Sequence, residues 1–284
     1  MSCPRHIGLH LRAHENLCQL IDKAVRLQLP IFQCFLTVPI TGHLVSVNAT
    51  DAAYFSNLRD QFERMYVHIS YHSNLADPVS SERFRKEVSL AKKLGFSHAI
   101  VHPGSAKWCA NKEQGIEELA RCLNQICQDE PDIIIVLENA AHGNFTIGGD
   151  IADFAAIMKL CDFPERIKFC IDTAHAYVYG YNIADQEQQD EFIALLDQTI
   201  GIEHVVLIHL NDTIQELGSR IDKHHVIGQG LIGAAALTRF IMHPLIAHIP
   251  VILELPVLSE EQEMEHFKQV MLWHKTPKIN EERL

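Results

Sequence analysis

Short apolar runs recur about every 30 to 40 residues along the chain: "HIGLHL" (6–11), "PIFQCFL" (30–36), "MYVHIS" (65–70), "HAIVHP" (98–103), "DIIIVLEN" (132–139), "IKFCIDT" (167–173), "HVVLIHLND" (204–212) and "PVILELP" (250–256). Their length suits buried strands. Between them lie stretches with helical spacing, such as "SERFRKEVSLAKKLG" (81–95) and "KEQGIEELARCLNQICQ" (112–128). Eight strands alternating with helices predict a closed parallel α/β barrel, (β/α)8, as a single domain over residues 1–284. The last ~8 residues, around "KINEERL", are expected to form a loose tail. An open doubly wound sheet is the alternative architecture, but no G-x-G-x-x-G follows an early strand to make a dinucleotide site.

A parallel barrel builds its active site where its strands end. His68 ends the third predicted strand, His102 the fourth, Glu138 the fifth, Asp172 the sixth, His209 the seventh and Glu254 the eighth. Six consecutive strands thus deliver a histidine or carboxylate to one rim. Buried carboxylates without partners cost several kcal/mol each, so such a cluster calls for cations. His175 follows Asp172 by three residues in "IDTAHAYVYGY". In "RIDKHHVIGQG" (220–230), Asp222 and His224 share a face if the segment is extended. They are expected to complete a metal site that no strand alone can close.

Composition sharpens this picture. With 47% hydrophobic and 21% charged residues the chain reads as a packed soluble protein. No apolar run approaches the ~20 residues needed to span a bilayer, and the amino terminus lacks the apolar stretch of a signal peptide, so a cytosolic location is expected. The eight cysteines include no C-x-x-C pair and are read as reduced and mostly buried. A formal charge of −12 excludes a broad basic surface for nucleic acid, unless bound cations supply a local positive field. Eighteen histidines is a high count, and imidazole is the commonest metal-ligating side chain.

Five histidines (68, 102, 175, 209, 224) and four carboxylates (Glu138, Asp172, Asp222, Glu254) offer nitrogen and oxygen without thiolate. Such a set suits zinc, manganese or iron, and the histidine share favours zinc. Nine ligands suit two or three ions. Three divalent ions against four carboxylates would leave the rim at about +2, attractive to an anionic substrate. Multi-ion sites polarise phosphoryl oxygens and steady leaving oxygens, so phosphodiester hydrolysis is the leading chemistry. No lysine ends a strand, so a Schiff-base lyase route lacks its nucleophile.

The motifs "HPGS" (102–105), "LENAAHGN" (137–144), "CIDTAHAYVYGYNI" (170–183), "HLNDT" (209–213), "GSRIDKHHVIGQGLIG" (218–233) and "ILEL" (252–255) closely resemble those of the endonuclease IV family, the zinc-dependent apurinic/apyrimidinic endonucleases. The resemblance runs from about residue 64 to 256. It implies a TIM barrel holding three zinc ions, with manganese or iron as possible substitutes. The implied activity cleaves damaged duplex DNA on the 5′ side of an abasic site, leaving a 3′-hydroxyl, in base excision repair. It further implies one ion on His68, His102 and Glu138, and a second on Glu138, Asp172, His209 and Glu254. The third would sit on His175, Asp222 and His224. Glu138 and Glu254 are the implied catalytic carboxylates. Tyr71 in "HISYHSNL" matches a tyrosine used at the damaged DNA site, and Ser105, Asn139 and Arg220 are candidate phosphate or supporting contacts. His225 has no matching ligand role and is expected to pack or touch phosphate.

The amino-terminal third departs from the family pattern. Where members carry a Ser-Ala-Gly-Gly-like turn, this chain reads "LRAHEN" (11–16); where they carry a basic loop, it reads "LTVPITGHL" (36–44). Duplex binding is therefore expected to be weaker and less salt-sensitive, with Arg12 or His14 as compensating contacts. Lysine and arginine at Thr37 and Ile40 are the expected remedy. Sugar isomerases and epimerases on the same barrel are the competing class, separated by the third-site residues, since one or two ions suffice for them. A non-catalytic nucleic-acid binder would not need a full ligand set. No membrane partner is expected, and no obligate protein partner is evident.

Overall fold

The computed structural model describes residues 5–12, 17–38 and 41–275, with side chains described to residue 273. Its strands are β1 (Ile7–Leu11), β2 (Ile31–Phe35), β3 (Arg64–His68), β4 (His98–Val101), β5 (Ile134–Glu138), β6 (Ile167–Asp172), β7 (Val205–His209), β8 (Asp212–Thr213), β9 (His224–His225) and β10 (Val251–Leu253). The helices are α1 (Leu17–Arg26), α2 (Ala49–Leu58), α3 (Pro78–Lys93), α4 (Lys112–Asp129), α5 (Ala152–Leu160), α6 (Thr173–Tyr179), α7 (Gln186–Ile200), α8 (Gly233–Met242) and α9 (Glu260–Lys275). Eight strands close into a parallel barrel in the order β1-β10-β7-β6-β5-β4-β3-β2, while β8 and β9 form a separate antiparallel ribbon. The expected (β/α)8 TIM barrel is the observed fold. The expected tail lies outside the described residues.

Helix boundaries follow local chemistry. Asp77 caps α3, accepting from Val79 N–H, with Pro78 in the first turn where no donor is needed. Asn111 caps α4 in the same manner. The large sheet–helix core includes Phe84 and Val88 of α3, Leu119 and Leu123 of α4, and the outward strand residues Val67, Ala99, Ile135 and Phe169. Among the described cysteines, 34, 122, 127 and 170 are buried. No described helix is long and apolar enough to cross a membrane.

A second cluster fills the barrel interior: Ile31, Tyr66, Ile100, Val136, Cys170, Leu207 and Ile252. On β1 the corresponding place is Gly8, where a Cβ would lie 2.1 Å from Ile31 O. Strand side chains alternate with period two, so the residue two positions onward faces the same interior, one level nearer the carboxyl ends. Those residues are His10, Gln33, His68, His102, Glu138, Asp172, His209 and Glu254. All eight strands therefore carry a polar group directly above the apolar layer.

Candidate metal centre

Three loops complete what the strands begin. Asp172 ends β6 and caps α6, its Oδ1 accepting from the His175 N–H at 2.8 Å. One helical turn then brings the His175 ring back over the barrel. The Asn139 amide grips the Asp172 backbone from β5, donating to its carbonyl at 3.1 Å and accepting its N–H at 2.6 Å. The segment after β7 is folded around the buried Asp212 carboxylate, which accepts from Gly230 N–H at 2.9 Å and Ile232 N–H at 3.1 Å. A Cβ at Gly230 would sit 2.3 Å from that carboxylate, so glycine is required there. The ribbon of β8 and β9 then returns His224 and Asp222 to the site: Asp222 Oδ1 is 3.2 Å from His175 Nε2 and 3.5 Å from His224 Nε2.

The nine predicted residues converge. His68 Nε2 lies 3.0 Å and His102 Nε2 3.4 Å from Glu138 Oε2, while His209 Nδ1 lies 2.7 Å from Glu138 Oε1. Candidate ligand atoms fall within 4.8 Å of one another in four overlapping groups: His68, His102 and Glu138; Glu138, Asp172, His209 and Glu254; His68, His209 and Glu254; and Asp172, His175 and His224. The last two differ from the expected groupings: His68 also falls with His209 and Glu254, and the third-site group changes. Asp172 joins His175 and His224, with Asp222 approaching from the loop, because the cap geometry places Asp172 Oδ2 3.5 Å from His224 Nε2.

Four imidazoles share one arrangement. His68 Nδ1 donates to Ile69 O at 2.8 Å, His175 Nδ1 to Asn139 O at 2.9 Å and His224 Nδ1 to Glu254 O at 3.3 Å. His209 Nε2 donates to Gln33 Oε1 at 2.8 Å. An oxygen acceptor on one nitrogen fixes the tautomer and turns the other nitrogen toward the carboxylates, as metal-ligating histidines require. His175 Nε2 and His224 Nε2 are buried and face carboxylate oxygens at 3.2 Å or more without a well-aligned hydrogen bond. Buried nitrogens without a well-formed hydrogen bond cost free energy, and a cation bound between them and the carboxylates would satisfy both. Donor chemistry and these unsatisfied nitrogens together fit divalent ions.

The electrostatics agree. Burial raises the Glu138 carboxyl, but His102 and His209 more than offset this and hold it well below the usual carboxylate range. Burial lowers His175, yet Asp172 and Asp222 hold it well above its ordinary value. His102, with weaker partners, is pushed down to about 4 by burial. Asp172 is raised, chiefly by burial. These carboxylates demand positive charge, which imidazolium supplies in part and divalent ions would supply in full.

Of the other predicted residues, Tyr71 and Ser105 line the cavity beside the centre. The exposed Tyr71 ring stacks on His102 at 5.6 Å between centroids and packs 5.3 Å from Phe35. Ser105 lines a cavity of about 280 Å³ with Tyr71, His102, His142 and Asp222. Its backbone is held by Asn74, which accepts from Ser105 N–H and donates to Ser105 O, both at 2.9 Å. The adjacent Gly104 has φ +104, and a Cβ there would lie 2.1 Å from Asn74 Oδ1. The exposed Arg220 guanidinium sits 3.4 Å over the Tyr179 ring. His225 pairs with Asp212 across the ribbon.

The structure refines one expectation about the amino-terminal loops and corrects another. Arg12 donates to Leu255 O and Pro256 O and faces Glu263 at 3.8 Å, yet it stays exposed and lines a cavity with His10, Tyr71, His224 and Glu254. Thr37 is only 3% exposed and bridges to Leu44, so a lysine there would be buried. His14 and Ile40 lie outside the described residues. Sequence reasoning also missed His10, Gln33 and Asn211. Asn211 donates to Asp172 Oδ2 and Glu254 Oε2 and accepts from Glu254 N–H. His10 and Gln33 could have been found by counting two residues onward from Gly8 and Ile31.

Residues 21–276 match the xylose isomerase-like TIM barrel family. A probable endonuclease 4 from Halorhodospira halophila is 40% identical over 202 residues, 68% of each chain. The crystal structure of endonuclease IV from Thermus thermophilus superposes with a TM-score of 0.82 at 28% identity, covering 95% of this chain and 99% of that one. A D-tagatose 3-epimerase-like protein superposes with a TM-score of 0.72 at 19% identity, covering 95% and 97%, a likeness of fold alone. With this degree of sequence and structural similarity, the chain belongs to the endonuclease IV family of the xylose isomerase-like TIM barrels.

Proposed function

We propose that the chain is a zinc-dependent AP endonuclease, hydrolysing the DNA backbone on the 5′ side of abasic sites to leave a 3′-hydroxyl. The observation that carries this reading is the set of oriented imidazoles around buried carboxylates, in a member of the endonuclease IV family. His68, His102 and Glu138 would hold one ion and Glu138, Asp172, His209 and Glu254 a second. His175, Asp222 and His224 would hold the third, with Asp172 at its edge. Zinc suits the nitrogen-rich set, and manganese or iron could occupy it. Divalent ions bound there would polarise a phosphoryl oxygen, acidify water and steady the leaving oxygen.

The chain's own residues would do the remaining work. Glu138 stands between two groups of histidines and ties their charge together. Glu254 is fixed through Gln33 and Asn211, so its carboxylate is oriented before substrate arrives. Tyr71 presents an exposed aromatic face at the mouth, suited to stacking where a base is missing. Ser105, in the cavity, and the exposed Arg220, stacked on Tyr179, would contact phosphate. The third group favours this reading over a sugar isomerase or epimerase, for which one or two ions suffice.

The test is incubation of zinc-loaded protein with a duplex carrying one tetrahydrofuran abasic analogue, which cannot undergo β-elimination. A single cut 5′ to the analogue, with a 3′ end that a polymerase extends, is expected. Intact duplex after prolonged incubation at saturating protein would refute the proposal.

A further inference from the structure

We infer that Gln33 is a positioning residue that orients two ligands of the proposed second ion, His209 and Glu254, with one amide group. The inference rests on the metal-centre reading above. Three of the four oriented histidines lean on backbone carbonyls, which no side-chain substitution removes: Ile69 O for His68, Asn139 O for His175 and Glu254 O for His224. His209 leans on a side chain instead, with Nε2 2.8 Å from Gln33 Oε1. The same amide's Nε2 donates to Glu254 Oε1 at 2.7 Å. His10 Nδ1 stands 2.8 Å from that amide nitrogen and 3.1 Å from Glu254 Oε1.

The chemistry is particular to an amide. The His209 Nε2 must carry a hydrogen to bond an amide oxygen, and that leaves Nδ1 as the nitrogen facing Glu138 Oε1 and Glu254 Oε2. The Glu254 carboxylate accepts only, so the group facing it must donate. Glutamine supplies an acceptor and a donor on one planar group. Glutamate would keep the acceptor and lose the donor; methionine, of similar length, would lose both. Gln33 is fully buried on β2 and occupies the same level of the barrel as the strand-borne ligands. Outer partners of this kind commonly shift metal affinity about ten- to a hundredfold when removed.

The experiment measures metal retention rather than turnover. Parent, Gln33→Met and Gln33→Glu proteins are loaded with zinc or cobalt, titrated against a chelator, and the cobalt forms compared by visible absorption. Gln33→Met should weaken one class of ion about ten- to a hundredfold and alter the cobalt bands, while the other ions keep parental affinity. Gln33→Glu, which restores an acceptor to His209, should recover part of that retention. Equal chelator resistance and an unchanged cobalt spectrum in Gln33→Met would overturn the inference. If Gln33→Met fails to fold, Gln33→Glu decides: a shifted spectrum supports the coupling to Glu254, and an unchanged one overturns it. A parent that takes up neither zinc nor cobalt refutes the metal-centre reading itself, a result separate from failure of the Gln33 assignment.

Discussion

Two levels of the same barrel interior stand two residues apart on every strand, and their contents are opposite. The lower holds Ile31, Tyr66, Ile100, Val136, Cys170, Leu207 and Ile252, with Gly8 on β1. The upper holds His10, Gln33, His68, His102, Glu138, Asp172, His209 and Glu254. Geometry is common to both, since the same strands at the same tilt present both sets. What differs is partner chemistry. Lower residues are held mainly by apolar packing, with the Tyr66 hydroxyl the polar exception, whereas upper residues need hydrogen bonds and charge neutralisation, which the loops and the amides of Gln33, Asn139 and Asn211 supply only in part. The lower level is an apolar core layer, and the upper gathers the candidate metal-ligating groups.

The contrast predicts a separation of effects. The largest belongs to Glu138→Ala, which removes the carboxylate shared by two groups of candidate ligands. Zinc measured by elemental analysis should fall by two ions, and incision of abasic duplex by a thousandfold or more, on the order of losing a principal charge-stabilising group. Ile31→Ala acts on the lower level, beneath Gln33. It should cost about 2–5 kcal/mol of stability in urea unfolding, while leaving the number of bound ions unchanged. Loss of ions from folded Ile31→Ala would break the proposed separation.

Glu87 sharpens the comparison from outside the barrel. Its carboxylate, fully buried on α3, accepts from Ser70 N–H at 2.9 Å and Ser73 Oγ at 3.4 Å, with His68 and Arg83 acting on it more weakly than burial does. Burial therefore raises it to about 7, whereas the equally buried Glu138 is held low by imidazoles. Between pH 4.5 and 7 the folded chain keeps a proton that the unfolded chain has released, so this group makes stability fall as pH rises. Glu87→Gln should remove up to about 3 kcal/mol of that decline, measured by urea unfolding of chelator-treated protein from pH 5 to 8. Parallel pH profiles for parent and variant would contradict the assignment.

The smallest effect concerns the loop after β2. Thr41 and His43 are exposed, unlike Thr37. Thr41→Lys with His43→Arg should steepen the slope of log affinity against log salt by roughly 0.9 for each phosphate newly engaged, without changing metal content. Fluorescence anisotropy with abasic duplex between low and moderate salt reads this directly. An unchanged slope would place the DNA path away from this loop.

Much of the upper level is legible in the sequence because apolar runs end abruptly in histidine or carboxylate on six strands, and such residues are rare at buried strand ends without a purpose. The strands themselves are legible within a few residues, since period and length mark them well. His10 and Gln33 are not, because glutamine carries no charge signal and β1 is followed by Arg12 and a loop rather than a motif. The family resemblance assigns Asp172 to one ion, and motifs do not reveal that a capping carboxylate keeps a second oxygen to face the loop; here that oxygen meets Asn211 and His224. Arg12 reads as a free cation in sequence, yet the carbonyls of Leu255 and Pro256 hold it.

Metal analysis of the parent protein after gel filtration tests the central claim most directly. An upper level built for a multi-ion centre should retain between about two and three equivalents of zinc per chain, lost to chelator together with incision and restored with it on adding zinc back. One equivalent or fewer in protein that incises abasic duplex at full rate would contradict the account.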